Sequence, residues 1–415
     1  MIKAVTGTKD ILPADIPKWK YLEKIIESVF ARFNYKEIRT PVFEETVLFS
    51  RGIGEETDIV GKEMYTFLDK GKTSLTLKPE MTASVVRAFI EHSLVSKQPL
   101  VKLFYISPMY RQEKPQAGRL REFHQFGAEA LGSSSPLLDA EMIQMSYHIL
   151  REAGLKDLNI KINSLGLPAA REKYKKILYK FLEDKKNKLS EESRKRIEKN
   201  ILRIFDSKEE SDQVMLKDAP LLIDHIDPES KNDFEEVKKL LTAVGIKFEI
   251  DPKLVRGLDY YTKTTFEITS GKVGSQNALC GGGRYDLLAE QLGSKPAPGV
   301  GFAAGMERIL LACEAENTFR IPEEKIDLYL IKIDKELTST VFEVASLLRR
   351  KNLHVDFDYL ERSVKAQMRE ANRLNAKNVL IIGGDEYKSG SYTLKNMSSG
   401  EQKLLPIDKL DLISI

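Results

Sequence analysis

Apolar residues recur at helical spacing near the start of the chain, which predicts an amphipathic first helix. They are Ile16, Trp19, Leu22, Ile25, Ile26, Val29, Phe30 and Phe33. Asp15 is placed to cap this helix and Pro17 suits its first turn. Further along, strand patterns cover residues 36–39, 64–68, 74–77, 101–111 and 121–131, and helical patterns cover 82–92 and 139–153. Strands in the middle of a region with helices around them predict a largely antiparallel sheet, an α+β core.

The pattern changes near residue 168. Apolar residues at helical spacing follow, with basic residues outnumbering acidic ones between residues 171 and 200. The apolar positions are Tyr174, Ile177, Leu178, Phe181 and Leu182. Two interpretations stay open: a solvated helical insertion, and an arm that contacts RNA.

Strands return from residue 247 to about 311, around Gly281, Gly282 and Gly283. Pro322 and the charged residues 323–325 then indicate a linker. After it, strand patterns at 327–331, 353–357, 378–382 and 391–395 alternate with helical patterns at 338–350 and 364–374, which predicts a small α/β domain. The predicted domains are therefore a core in two parts (1–167 and 247–320), a helical insertion (168–246) and an α/β domain (326–415).

Composition limits the function classes. The chain has 415 residues, 42% hydrophobic and 31% charged, and a net charge of +3, which is ordinary for a globular protein and does not exclude local RNA-binding patches. Cys280 and Cys313 are its two cysteines and its five histidines are dispersed, so we expect no disulfide framework and no protein-bound structural or catalytic metal. With no secretory signal and no long apolar run, we expect a cytoplasmic protein that does not contact membranes.

The densest polar pattern lies between residues 105 and 129, where a Pro/Gly-containing turn joins two predicted strands into a hairpin. Strand alternation places two rows on one face each: Tyr105, Ser107, Met109, Arg111 and Glu113, and Arg119, Arg121, Phe123, Gln125 and Glu129. Guanidinium forks suit phosphates and an aromatic ring suits a base. The hairpin therefore predicts a nucleotide site without a Walker-type loop; the alternative is an exposed, salt-bridged hairpin.

Three segments resemble the motifs of class II aminoacyl-tRNA synthetases. The hairpin is similar to motif 2, and the first helix with the strand ending at Pro41 is similar to motif 1, the dimer-interface element of those enzymes. Residues 299–308, in which glycines lead into Arg308, are similar to motif 3.

Two further segments resemble the histidine-specific motifs of the histidyl-tRNA synthetase family. They are Leu-Val-Arg-Gly-Leu-Asp-Tyr-Tyr-Thr at 254–262 and Ala-Leu-Cys-Gly-Gly-Gly-Arg-Tyr-Asp at 278–286. Pro79, Glu80, Met81 and Thr82 resemble the family's Pro-Glu-Gly-Thr element, with Met81 in place of glycine. The resemblance runs from residue 7 through the C-terminal domain, and it implies a class II fold that activates histidine with ATP and transfers it to tRNA(His).

The resemblance also implies roles for single residues. For ATP, it assigns Arg111 to the α-phosphate, Arg308 to the γ-phosphate, Phe123 to stacking on adenine, and Glu113 to the adenine amino group, with Arg119 in the same set. Arg256 is the family's electrophile at the α-phosphate. For histidine, Glu80 and Gln125 meet the α-ammonium beside Met81 and Thr82, and Glu129, Tyr260 and Tyr261 surround the imidazole.

The implied partners are L-histidine, ATP with Mg²⁺ as a substrate complex, tRNA(His) and a second copy of the chain. The α/β domain resembles an anticodon-binding domain, and Gln116 in the hairpin loop is placed to approach the acceptor stem. Three alternatives stay open: a synthetase-like regulatory subunit of ATP phosphoribosyltransferase, another class II synthetase such as the threonyl or prolyl enzyme, and an RNA-binding module without catalysis.

Overall fold

The computed structural model describes residues 1–54, 57–207, 209–273, 277–321 and 323–412. Contacts divide the chain into two compact units, Met1–Arg320 and Ile321–Ile415. Pro322 of the predicted linker and the last three residues of the predicted C-terminal domain lie outside the described residues. No helix in the described ranges is long and apolar enough to cross a membrane.

The first unit alternates strands and helices. Within its described residues, the strands are β1 Lys36–Glu37, β2 Phe43–Glu45, β3 Tyr65–Leu68, β4 Ser74–Leu77, β5 Val101–Tyr110, β6 Glu122–Leu131, β7 Asn159–Ser164, β8 Glu249–Ile250, β9 Thr262–Thr269, β10 Ala278–Arg284 and β11 Gly299–Gly305. The helices are α1 Ile16–Arg32, α2 Thr46–Ile53, α3 Thr82–Glu91, α4 Pro136–Glu152, α5 Pro168–Glu183, α6 Glu191–Lys199, α7 Glu210–Met215, α8 Pro228–Ala243, α9 Leu288–Gln291 and α10 Met306–Ala315. Asp15 precedes α1 as predicted, but its side chain makes no capping hydrogen bond.

Eight of the described strands form one sheet in the order β1-β5-β6-β11-β10-β9-β7-β8. Its central strands run antiparallel, whereas β1 pairs parallel with β5 at one edge and β8 pairs parallel with β7 at the other. The predicted antiparallel core is therefore confirmed, with mixed pairing at its edges. Strands β2, β4 and β3 form a separate small antiparallel sheet.

The two faces of the large sheet differ because side chains alternate along each strand. On one face Phe104 and Phe126 pack against Phe30 of α1, and the rings of Phe30 and Phe104 stack with centroids 4.6 Å apart. On the opposite face of the sheet, the predicted polar row that begins at Tyr105 is less polar than expected. Its members Tyr105 and Met109 are fully buried in an apolar cluster. The polar side chains of the β5–β6 hairpin are therefore concentrated where its two strands end.

Helices fill the predicted insertion. Helix α5 begins at Pro168 and buries Tyr174, Leu178 and Leu182, which are spaced four residues apart. Ile177, which belongs to the predicted apolar face, is 41% exposed. The apolar face of α5 is therefore narrower than the sequence pattern predicted.

The second unit is the predicted small α/β domain. Its described strands are β12 Leu328–Lys332, β13 Val355–Phe357, β14 Asn378–Ile382, β15 Ser391–Asn396 and β16 Gln402–Pro406, and its helices are α11 Thr338–Arg350, α12 Val364–Arg373 and α13 Gly384–Lys388. They form a sheet in the order β13-β12-β14-β15-β16, parallel in its first three strands and antiparallel beyond them. The sequence pattern missed β16 because this edge strand is mostly exposed and shows little apolar alternation.

Candidate active site

A cavity of about 520 Å³ opens beside the end of the β5–β6 hairpin. It is walled by the turn before α3, the hairpin loop, the segment 255–261, β10 and the junction of β11 with α10. The predicted site residues that line it are Glu80, Met81, Thr82, Arg111, Glu113, Arg119, Phe123, Gln125, Arg256, Tyr260, Tyr261 and Arg308. Glu129 does not line this cavity: it is fully buried behind its wall.

Arg111 and Arg119 of the hairpin and Arg308 of α10 share one end of the cavity. The Nε of Arg111 donates to the carbonyl of Pro79 at 2.9 Å, and its guanidinium lies 5.3 Å from the ring centre of Phe123. Arg119 pairs with Glu113 at 3.2 Å. Burial lowers the pKa of Arg308, and the positive charges of Arg119 and Arg111 lower it further. This local excess of positive charge suits a polyphosphate.

Two backbone carbonyls hold the side chain of Arg308 at the start of α10. Its Nε donates to the carbonyl of Gly118 at 3.0 Å and its Nη1 to that of Ala278 at 2.9 Å. Gly118 belongs to the hairpin loop and Ala278 begins β10. The arginine that the motif-3 segment predicted therefore joins the hairpin loop to the large sheet.

The prediction that Arg121 shares the functional face was wrong. Strand β6 begins at Glu122, so strand alternation does not extend back to Arg121. Its guanidinium donates to the carbonyls of Glu113 at 3.4 Å and Thr6 at 3.2 Å, and it does not line the cavity. Arg121 therefore fastens the N-terminal segment to the hairpin loop.

Two buried carboxylates lie near the start of α3. Glu80 accepts hydrogen bonds from the backbone N–H groups of Thr82 at 2.8 Å and Ala83 at 2.9 Å. The Thr82 hydroxyl donates to Glu129 at 2.7 Å, and the Tyr285 hydroxyl donates to the other oxygen of Glu129. Burial raises the pKa of Glu80, and it raises the pKa of Glu129 to about 8. A cationic ligand would favour the charged forms of both groups.

At the end of the cavity near Glu80, hydrogen-bond acceptors face the space that a ligand would fill. The Oε1 of Gln125 is buried and has no hydrogen-bond partner in the described structure. The Tyr260 hydroxyl lies 3.5 Å from Glu80, and the rings of Tyr260 and Tyr261 are 4.8 Å apart. Buried polar atoms are nearly always paired in native structures, so Gln125 marks a subsite for a ligand N–H group.

Arg256 is held by a carboxylate that the sequence analysis missed. Its Nη1 lies 2.7 Å from Oε2 of Glu267 on β9. Its Nε is buried and finds no acceptor among the described residues. Glu267 stands directly opposite Gly281 in the β9–β10 pairing, which only the strand register reveals. The ion pair fixes the guanidinium against β10.

Gly281→Ala is expected to displace the guanidinium of Arg256. It should therefore lower the turnover of the reaction that the family resemblance implies, activation of histidine with ATP, about 100-fold. A Cβ at this position would lie 2.0 Å from Nη2 and 2.5 Å from Cζ of Arg256, so the guanidinium must shift from its place beside Glu267. Steady-state kinetics checks this, with Gly71→Ala in an exposed turn as control, since a Cβ there comes no closer than 3.3 Å to the exposed side chain of Asp69. Equal turnover in both variants would contradict the close packing of Arg256 on β10.

Gln116 lies apart from the main cavity. Its backbone pairs with Arg119 in the hairpin loop, and its side chain lines a second cavity of about 280 Å³. Trp19, His124 and Leu310 also border that cavity. The predicted role of Gln116 at the acceptor stem stays a prediction.

Comparisons with known proteins agree along the whole chain. Residues 7–309 match the family described as histidyl-tRNA synthetase, and residues 327–411 match an anticodon binding domain. A histidine–tRNA ligase of Halothermothrix orenii is 48% identical over 401 residues, 97% of this chain and 96% of the relative. One of Caldanaerobacter subterraneus subsp. tengcongensis is 48% identical over 412 residues, 99% of each chain.

Solved structures show the same relationship. The apo histidyl-tRNA synthetase of S. aureus is 40% identical, with a TM-score of 0.82 over 99% of this chain and 98% of that one. A Bacillus halodurans protein described as an ATP phosphoribosyltransferase regulatory subunit/histidyl-tRNA synthetase shares the fold at 22% identity, with a TM-score of 0.66 over 92% of this chain and 99% of that one. The family match and the long relatives together lead to one conclusion: the chain belongs to the histidyl-tRNA synthetase family.

Proposed function

We propose that the chain is a histidine–tRNA ligase, which activates histidine with ATP and transfers it to the 3′ end of tRNA(His). The observation that carries this proposal is a single cavity that combines Arg111, Arg256 and Arg308 with the acceptors Glu80 and Gln125. A relative that is 48% identical over 97% of this chain bears the name histidine–tRNA ligase, which supports the same reaction.

The reaction has two steps. A carboxylate oxygen of histidine attacks the α-phosphorus of ATP, and the bond to pyrophosphate breaks. A hydroxyl of the terminal adenosine of tRNA then attacks the activated carbonyl carbon, and AMP leaves. Such chemistry needs positioned substrates and stabilised phosphate charge more than a protein nucleophile. We assign Arg111 and Arg256 to the α-phosphate and Arg308 to the γ-phosphate.

The remaining nucleotide contacts come from the hairpin. Phe123 stacks on adenine, Glu113 accepts a hydrogen bond from its amino group, and Arg119 adds positive charge beside the phosphates. The ion pair of Glu113 with Arg119 supports this assignment, because it places the two side chains in the same part of the cavity.

Histidine occupies the end of the cavity that carries the hydrogen-bond acceptors Glu80 and Gln125. Glu80 and Gln125 bind its α-ammonium group, and Met81 and Thr82 form the adjoining wall. Tyr260, Tyr261 and Glu129 surround the imidazole. Glu129 reaches the ring only when the cavity opens toward it, because it is fully buried and does not line the cavity. A pocket that pairs both ring nitrogens discriminates strongly against isosteres.

Magnesium enters with ATP in this proposal. The described residues contain no group of three or more His, Cys, Asp or Glu side chains arranged to hold a metal ion. Mg²⁺ is commonly held by substrate phosphates with one or two carboxylates, and Glu113 and Glu267 are two of the carboxylates that line the cavity near the arginines. The ion would add positive charge at the phosphates.

The domains outside the cavity suit the tRNA half of the reaction. The unit that matches an anticodon binding domain is proposed to bind the anticodon of tRNA(His), in the cytoplasm. The insertion at 168–246 stays open between a solvated element and an RNA contact. A homodimer is proposed through motif 1 and the small sheet that follows it along the chain, where Phe43 and Phe67 contact each other yet stay 51% and 45% exposed.

Histidine-dependent exchange of labelled pyrophosphate into ATP tests the proposal. We expect exchange with histidine and none above background with threonine or proline. No exchange with histidine, or equal exchange with threonine, would refute the assignment. A regulatory subunit of ATP phosphoribosyltransferase would bind histidine without exchange; the anticodon-domain match at residues 327–411 favours the ligase over that alternative.

A further inference from the structure

Arg203 of the helical insertion lines the active-site cavity, although it lies far along the chain from every motif. It belongs to the short helix Ile201–Asp206, and its Nη1 lies 2.7 Å from Oδ2 of Asp58. The hydrogen bond from Arg203 is the main cause of the lowered pKa of Asp58. The pair joins the insertion to the segment 57–63.

Segment 57–63 borders the arginine end of the cavity through Asp58, Ile59 and Glu63. The carbonyl of Glu63 accepts the backbone N–H of Gln112 at 2.6 Å. Gln112 is the residue after Arg111, so a shift of this segment would move the backbone that carries the α-phosphate arginine.

The insertion also contacts the segment 255–261, by hydrogen bonds that do not involve Arg203. The Nη1 of Arg171 donates to the carbonyl of Tyr261 at 2.9 Å, and Nδ2 of Asn200 donates to Asp259 at 3.1 Å. Loss of the Arg203 contact would therefore loosen segment 57–63, while these contacts keep Tyr261 and its neighbours in place.

We propose that Arg203 is a positioning residue: through Asp58 it holds segment 57–63, and with it Arg111, in the arrangement that binds ATP. The inference rests on the proposed function, since it assigns the arginine end to ATP. The two side chains are 27% and 51% exposed, so the pair is partly screened by solvent. We therefore expect loss of the pair to weaken ATP binding moderately and selectively.

A charge-swap experiment tests this role in pyrophosphate exchange. Arg203→Glu is expected to raise the KM for ATP about tenfold and to change the KM for histidine less than about twofold, because like charges then repel segment 57–63. Adding Asp58→Arg should return the KM for ATP to within about threefold of wild type. Arg194→Glu, at an exposed arginine of α6, serves as control. Additive effects in the double variant, or an Arg203→Glu effect no larger than that of Arg194→Glu, would overturn the inference.

Binding measurements separate the inference from the proposed function. Arg203→Gln, which removes the charge alone, should weaken binding of a non-hydrolysable ATP analogue about fivefold in calorimetry, and it covers the case in which Arg203→Glu does not fold. Equal affinities in wild type and Arg203→Gln would overturn the inference. Absence of histidine-dependent exchange in the wild type would instead refute the proposed function.

Discussion

Replacing Arg256 with histidine is expected to lower histidine-dependent pyrophosphate exchange by a factor of about 10²–10³, while histidine affinity stays within about threefold of wild type. The guanidinium is held by Glu267 at 2.7 Å, and the proposed function assigns it to the α-phosphate, where charge grows in the transition state. Imidazole is too short to reach that place, and it leaves the carboxylate of Glu267 without its partner. The loss should fall on kcat, because the interaction is made in the transition state.

Two further variants separate geometry from charge at this position. Arg256→Lys keeps the positive charge but loses the planar fork, so its rate should lie between those of wild type and Arg256→His. Arg32→His makes the same substitution in an exposed ion pair with Glu152, outside the cavity, and should leave exchange unchanged. Wild-type exchange in Arg256→His would show that the electrophile is a different group.

Local patterns were sufficient to predict much of the fold and the cavity. Helix α1 follows from apolar spacing, and the β5–β6 hairpin follows from two predicted strands around a Pro/Gly-containing turn. Arg111, Gln125 and Arg308 lie at the cavity because each lies near the end of an element, and the sequence encodes that end locally. Short-range signals of this kind need no knowledge of the three-dimensional packing.

Long-range contacts account for what the sequence patterns missed or misplaced. Arg121 was placed on the wrong face because the hairpin strand begins one residue later, at Glu122. Glu267 contacts Arg256 only through the β9–β10 register, and Arg203 meets Asp58 across 145 positions of the chain. Neither Glu267 nor Arg203 stands in a sequence pattern that predicts a functional role, since an acidic or basic residue alone is usually a solvated surface group.

The position of Glu129 also depended on packing. A Cβ on Gly301 would lie 1.7 Å from Oε2 of Glu129, so the β11 glycine makes room for this buried carboxylate. Strand alternation placed Glu129 on the same face as Gln125, and the family resemblance implied a place beside the imidazole. In the structure Glu129 lies behind Thr82, and each of its oxygens accepts a hydrogen bond. A spacing pattern gives the face of a strand, but not the depth of a side chain below the cavity.

Glu80→Gln is expected to raise the KM for histidine about 100-fold and to leave the KM for ATP within about threefold. The buried carboxylate of Glu80 faces the proposed ammonium subsite, and it accepts the N–H groups of Thr82 and Ala83. Glutamine keeps the shape but removes the charge, and its amide offers one acceptor where the carboxylate offers two. One backbone N–H therefore loses its partner, or the ammonium does.

The carboxylate of Glu80 also caps α3, because it accepts the first two N–H groups of that helix. Kinetics and calorimetry with histidine distinguish loss of the ammonium contact from loss of this cap. A lost cap costs about 1 kcal/mol of stability and appears in thermal unfolding, whereas the ammonium contact appears in histidine affinity. Glu91→Gln, at the other end of α3, breaks an exposed ion pair with Arg87 at 2.8 Å and should leave the KM for histidine unchanged. If Glu80→Gln lowers stability but binds histidine like the wild type, Glu80 is only a cap, and the ammonium must bind elsewhere in the cavity. A selective loss of histidine affinity in a folded protein would instead assign the charge of Glu80 to the substrate.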